Sequence, residues 1–174
     1  MNYTYLIDEK KLHSLSVILN SKIIEIYGIG FHVYKDYIET QSLSLKVAHD
    51  LWLNFSNEAR ETPNNNDYYK FVINSDNAPN GIAYNNNSLI YPFSKVSFDP
   101  FIIKSIEVYQ RNEIYDEEEL NYDVLILFNG KSKKRFMIAL EERIDEFIIY
   151  SSNSKIISKY LNGLECRKKL TRCA

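Results

Sequence analysis

Six carboxylates crowd into eleven residues of this chain: Glu113, Asp116, Glu117, Glu118, Glu119 and Asp123. Oxygen-rich runs of this kind have three uses. They can ligate a divalent cation, although this run lacks the alternating acids and central glycine of a calcium loop. They can form a solvated turn between two strands. They can also build a negative field that steers a basic partner and helps to select it. Tyr115 and Tyr122 are interleaved with the acids. A tyrosine adds large contact area and a polar tip, the kind of side chain that anchors protein interfaces.

Other chemistry is poorly supported. His13, His32 and His49 are too far apart in sequence to form a local metal motif with one another or with a cysteine. Convergence in space, as acid–base groups, would need the fold to bring them together. Cys166 and Cys173 both fall in the last nine residues, too few and too close to the end for a disulfide framework. The glycine cluster at 28–30 lacks the third glycine and following helix of a phosphate cradle and reads as a bend in a strand. No G-x-S-x-G elbow is present. The acidic cluster is followed by Lys131, Lys133, Lys134 and Arg135, and Arg167, Lys168, Lys169 and Arg172 close the sequence. With a pI near 6.0 and no continuous basic helix face, these cations do not form a nucleic-acid footprint. The last group fits the negative end of a terminal helix dipole. No cofactor and no metal are expected.

A length of 174 residues suits one domain, spanning 1–174, and is enough for a self-sufficient core. Hydrophobic residues at 45% and charged residues at 25% are globular values. The longest apolar runs, such as 124–128, are too short to span a bilayer, so no membrane partner is expected. The first residues lack the basic-then-apolar order of a secretory leader, and the expected location is cytoplasmic. The 14 tyrosines, 18 asparagines and 21 isoleucines fit an AT-rich gene, and the tyrosines also suit a binding surface.

The elements that must position the acids follow from periodicity. Residues 8–20 predict a helix capped by Asp8, with Leu12, Leu15, Ile18 and Leu19 on one face. Residues 22–27 and 31–39 predict extended segments. The spacing of Leu45, Ala48, Leu51, Trp52, Phe55 and Ala59 predicts a helix over 44–60, stopped by Pro63 and the following asparagines. Residues 68–74 predict a strand, and 75–93 a loop or small hairpin. The longest strand expected is 101–115, with Ile103, Ile106, Val108 and Ile114 inward and a phase change implying a bulge. Residues 122–128 and 134–140 flank Asn129-Gly130, whose positive φ would close a hairpin. A strand over 146–151 and a terminal helix over 154–170 complete the set. The expected fold is α+β: an antiparallel sheet of about six strands with about three helices, the N-terminal and C-terminal ones packed on it.

The segments KSIEVYQRNEIYDEEELNYDVLILF and NGKSKKRFMIALEERIDEFIIY, within residues 101–150, carry a family likeness. Their order is a strand ending in a polar stretch, "YD" opening a hydrophobic strand, a hairpin to "KRFMI", and a short acidic stretch before another strand. This layout resembles bacterial immunity proteins of toxin–immunity systems, including those of contact-dependent growth inhibition. It departs from them at EERIDE, 141–146, where a small-residue turn is common. The resemblance implies a non-enzymatic cytoplasmic inhibitor whose partner is a cognate toxin domain, commonly a nuclease, with no nucleic acid bound directly. It transfers no binding residue. Nuclease grooves are positive because they hold phosphates. The acidic run is therefore the expected contact: Glu113, Tyr115, Asp116, Glu117, Glu118, Glu119, Tyr122 and Asp123. Two other classes remain open at this point. One is a small hydrolase or nuclease with a site built from distant residues, and the other is an oligomeric structural or regulatory subunit.

Overall fold

The computed structural model describes residues 1–30, 32–47, 51–79, 83–85, 88–90, 93–96, 99–115, 117–141, 146–151 and 154–172. In chain order they form β1 (Asn2–Tyr5), α1 (Glu9–Val17), β2 (Lys22–Ile29), β3 (His32–Val33), β4 (Ile38–Thr40) and β5 (Ser42–Val47). Next come β6 (Leu51–Glu61), β7 (Asp67–Asp76), β8 (Ala83–Asn85), β9 (Ser88–Ile90), β10 (Phe93–Val96) and β11 (Phe101–Tyr115). The chain continues through β12 (Glu118–Gly130), a short 3-10 turn (Lys131–Lys133), β13 (Arg135–Glu141), β14 (Glu146–Ser151), α2 (Ser154–Leu161) and β15 (Glu165–Thr171). The fold is therefore mostly antiparallel sheet with two short helices. This corrects the expected α+β arrangement of about six strands and three helices.

One hydrogen-bonded sheet of 13 strands runs through the order β3-β4-β14-β13-β12-β11-β2-β5-β6-β7, with β1 on β12, β10 on β2 and β15 on β11. Among the described residues only β1 pairs parallel to its neighbour. The β11–β12 hairpin is the spine, and strands share its outer edges. Along β12, β1 occupies residues 119–122 and β13 occupies 125–129. Along β11, β2 occupies 101–102 and β15 occupies 105–110. The sheet also turns on itself at Thr40–Ser42, where β4 leaves β14 and β5 joins β2. Thr40 is buried there, with its hydroxyl 2.7 Å from the Ile29 carbonyl oxygen, which also accepts from the Gln41 amide. Two halves thus face each other across a common core. Phe71 stacks on Phe147 at 5.7 Å between ring centres, and Phe55 meets Phe128 edge-on at 6.5 Å.

Strand alternation explains how both faces of the spine are used. Ile126 and Phe128 enter this main core, together with Leu12 and Leu15 of α1. Leu125 and Leu127 point the other way, into a second cluster that Ile157 of α2 covers. Two bulges set the phase. Lys104 is the extra residue between Ile103 and Ser105, and Val124 is the extra residue opposite the Tyr109–Gln110 step. The first bulge accounts for Ile103, Ile106 and Val108 all being buried despite their uneven spacing. Ile114, expected inward, is 78% exposed.

The expected helix over 44–60 is instead β5 and β6. Leu43, Leu45 and Val47 line the main core from β5, and Leu53 and Phe55 do so from β6. These residues alternate with a period of two, whereas Leu45, Ala48, Leu51, Trp52, Phe55 and Ala59 follow 3–4 spacing, and pairing with β2 and β7 decides between the two. The expected helix over 154–170 ends at Leu161. Gly163 adopts φ +85°, which reverses the chain, and 165–171 then joins the open edge of β11. The basic residues Arg167, Lys168 and Lys169 therefore lie on a strand and do not complement a helix dipole. Asp8 caps α1 as expected, accepting from the Lys11 amide at 2.8 Å. Residues 83–90 contain the small hairpin β8–β9. Cys173 and His49 lie outside the described residues.

Asn129-Gly130 does join two strands, but not by the expected device. Gly130 is extended at φ −107°, and the positive φ falls on Lys133. Glycine is needed at 130 for space, because a Cβ there would run into the Phe101 ring. Gly130→Ala is expected to destabilise the chain by about 1–3 kcal/mol through overpacking, read as a lower urea midpoint. Phe101→Leu in the same chain should recover part of that loss; if it recovers none, the clash is not the cause.

Candidate partner-binding site

The acidic run forms the distal end of the β11–β12 hairpin, where Tyr115 pairs with Glu118 and Glu113 with Leu120. Met1 and β1 lie alongside, with the Glu119 amide donating to the Met1 carbonyl at 2.9 Å. A strand turns successive side chains to opposite faces. Three consecutive acids, Glu117, Glu118 and Glu119, therefore cannot share one surface.

Glu118, Leu120 and Tyr122 face inward beneath the β6–β7 turn and Tyr68. Glu118 is 2% exposed. Its Oε2 accepts from the Thr62 hydroxyl and from Asn66 Nδ2, both at 2.7 Å. Its other oxygen, Oε1, is buried without a hydrogen bond. Burial alone would raise this carboxyl's pKa, but the bonds from Thr62 and Asn66, together with the amino terminus, hold it below the ordinary value. Tyr122 is fully buried in the second cluster.

Asp123 faces the other side and is 1% exposed. Its Oδ1 accepts from Arg167 Nε at 2.9 Å, while Oδ2 accepts from Arg167 Nη2 and the Ile7 amide, both at 2.6 Å. The Arg167 guanidinium also reaches the Ile7 carbonyl at 3.4 Å. Arg167 is the extra residue of a bulge on β15, between the pairs Val108–Lys168 and Tyr109–Cys166. Asp123 and Arg167 form an internal charge pair.

The remaining acids stay accessible. Glu117 is exposed, and Glu113 and Glu119 are half-buried. Glu113 accepts from the Tyr115 hydroxyl and lies 3.5 Å from the Arg111 guanidinium. Glu119 accepts from Asn112 Nδ2 at 2.9 Å. Tyr115 packs against the second cluster, and Ile114 stands out beside it. Asp116 lies outside the described residues. The fold thus leaves Glu113, Tyr115, Glu117 and Glu119 at the hairpin tip, with Glu119 opposite Ile114 on one face and Glu113 bonded to Tyr115 on the other, and assigns Glu118, Tyr122 and Asp123 to the interior.

Thr62, Asn64 and Asn66 contribute to this region, although sequence reasoning assigns the two asparagines only to a helix stop and Thr62 to nothing. They belong to the β6–β7 turn, in which Asn65 takes φ +63°, a conformation asparagine tolerates. Asn64, Asn66, Tyr115 and Glu117 line a cleft of about 330 Å³. The cue available in the sequence was the asparagine run itself, which is as good a hairpin signal as a helix stop.

Elsewhere, His13 and His32 are exposed on α1 and β3. Cys166 is a free cysteine on an exposed residue beside Tyr109, and partial desolvation of its sulfur plus the nearby Glu107 carboxylate raise its pKa, which disfavours the reactive thiolate. Among the described residues no group of three His, Cys, Asp or Glu side chains could hold a metal ion. No helix of the described residues is long and apolar enough to cross a membrane.

Removing one partner of a buried pair strands the other charge, so Arg167→Met should cost about 3–5 kcal/mol in urea unfolding. The double variant Asp123→Leu with Arg167→Met should regain much of that loss. The lowered pKa of Glu118 also gives a pH signature. The unfolded chain takes up this proton first, near the ordinary 4.5, so the contribution is present above that pH and is lost as pH falls through the folded value. Glu118→Gln should flatten the acid limb of the stability–pH curve; an unchanged limb would show that other carboxylates dominate it. No protein-family model, curated protein or solved structure matches the chain.

Proposed function

We propose that this chain is a cytoplasmic immunity protein that neutralises a toxin domain by covering a basic active-site groove, in keeping with the layout of residues 101–150. The observation that carries this reading is the tip of the β11–β12 hairpin, where Ile114 is 78% exposed opposite Glu119 and the carboxylates of Glu113 and Glu117 stay accessible on the same tip. An exposed aliphatic side chain on an acidic hairpin tip is a good contact for a cationic groove with an apolar floor. The tip is held in place, since β11 and β12 pair along almost their whole length and β1 braces the start of β12. A preorganised surface of this kind loses little entropy on docking. Inhibition by coverage needs no covalent step, and a nuclease groove supplies the complementary charge.

The test is co-expression with the protein encoded immediately beside this one, read as growth protection and as co-purification. Survival only when both are present is the expected result. The triple variant Glu113→Lys, Glu117→Lys, Glu119→Lys should keep the wild-type far-UV spectrum while weakening the complex by about 10–100-fold, mostly through a slower on-rate, and flattening its salt dependence. Undiminished affinity would move the interface to another surface. Turnover of a small substrate, with no effect on growth, would replace the inhibitor with an enzyme.

A further inference from the structure

The cleft between the hairpin tip and the β6–β7 turn has an unusual charge environment. Its lining is one exposed carboxylate, Glu117, one aromatic ring, Tyr115, and two amide side chains, Asn64 and Asn66. Directly behind Asn66 lies Glu118, joined to it by the 2.7 Å bond and almost completely removed from water. Thr62 and Asn66 steady this carboxylate with neutral donors, which fix its position without cancelling its charge. The Met1 amino group, bonded to the Glu117 carbonyl oxygen, offsets part of the field. Two carboxylates against one ammonium leave the cleft net negative. A charge buried in low dielectric is poorly screened, so its field acts on whatever enters the neighbouring space.

We propose that this cleft is a recognition pocket for one arginine side chain carried by the partner protein. The inference rests on the inhibitor reading for the identity of that partner, but the pocket can be tested without it. Guanidinium matches the lining better than ammonium does. Its planar fork donates to the Glu117 carboxylate and to asparagine carbonyl oxygens, and its flat face suits the Tyr115 ring. Glu118 need not touch the ligand, because its contribution is the potential inside the pocket.

The experiment is a titration of the isotope-labelled full chain with the tripeptide acetyl-Gly-Arg-Gly-amide, followed by amide-resolved NMR. The expected result is weak, saturable binding with shifts centred on Asn64, Asn66, Tyr115 and Glu117. The lysine tripeptide should bind more weakly, and the citrulline tripeptide, which keeps the shape and loses the charge, should not bind. Glu117→Gln should weaken binding severalfold. So should Glu118→Gln, although it leaves every lining residue in place, and the same spectra report whether each variant remains folded. Equal binding of citrulline, stronger binding of lysine, or shifts spread over other acidic surfaces would overturn the proposal. Tripeptide binding in the cleft without growth protection would discard the inhibitor and keep the pocket. Growth protection with no tripeptide shifts, unaffected by either glutamine variant, would discard the pocket and keep the inhibitor.

Discussion

The buried pair of Asp123 and Arg167 is the constraint on which the architecture turns. One carboxylate receives three N–H donors, two from Arg167 and one from the Ile7 amide. It does so where β12 exchanges β1 for β13 and where β15 carries an extra residue against β11. A buried ion pair is seldom worth more than the apolar residues that might replace it, because desolvation consumes most of the Coulombic gain. Its value here lies in geometry. The lead-in to α1, the middle of β12 and the last strand meet at these few atoms, and a one-residue slip in either strand would leave a charge buried alone.

The same junction separates two uses of the central hairpin. Beyond the Val124 bulge, toward Gly130, β12 lies between β11 and β13 and its side chains fill both clusters. Before it, toward Glu118, β12 has only the short β1 on its outer edge, and polar side chains appear on both faces. The tyrosines follow this division. Tyr3, Tyr5, Tyr68, Tyr115 and Tyr122 all belong to or pack against the second cluster, and Tyr5 stacks on Tyr68 with 3.8 Å between ring centres. A polar-tipped aromatic layer thus underlies the acidic end and joins it to the apolar interior.

Strong local signals were readable from the sequence. The bounds of β11 and β14 match the expected 101–115 and 146–151, and α1 begins at its predicted cap. The errors share a physical cause. Over 44–60 the apolar residues fit two periods at once, and only pairing with distant strands chooses between them. At 154–170 a helical stripe was extended past Gly163, although a glycine with φ +85° terminates the turn. In the acidic run, adjacency in sequence does not give adjacency on a surface. Once that run is a strand, Glu118 must face away from Glu117 and Glu119, and Asp123 is claimed by an arginine 44 residues away. Asn64 and Asn66 could not be linked to Tyr115 at all, because only the folded sheet brings those turns together.

The parallel strand β1 has a consequence for how the molecule is made. Ile7 and Asp123 are 116 residues apart, so the first strand leaves the ribosome long before its neighbour exists. At roughly 5–20 residues per second the delay is on the order of ten seconds. During that interval Tyr3 and Tyr5 lack their hydrogen-bonding strand, their aromatic neighbour Tyr68 is made only about halfway through it, and the loop that must close to seat them is long. The amino-terminal strand is therefore a late arrival in assembly, seated only once the spine is complete.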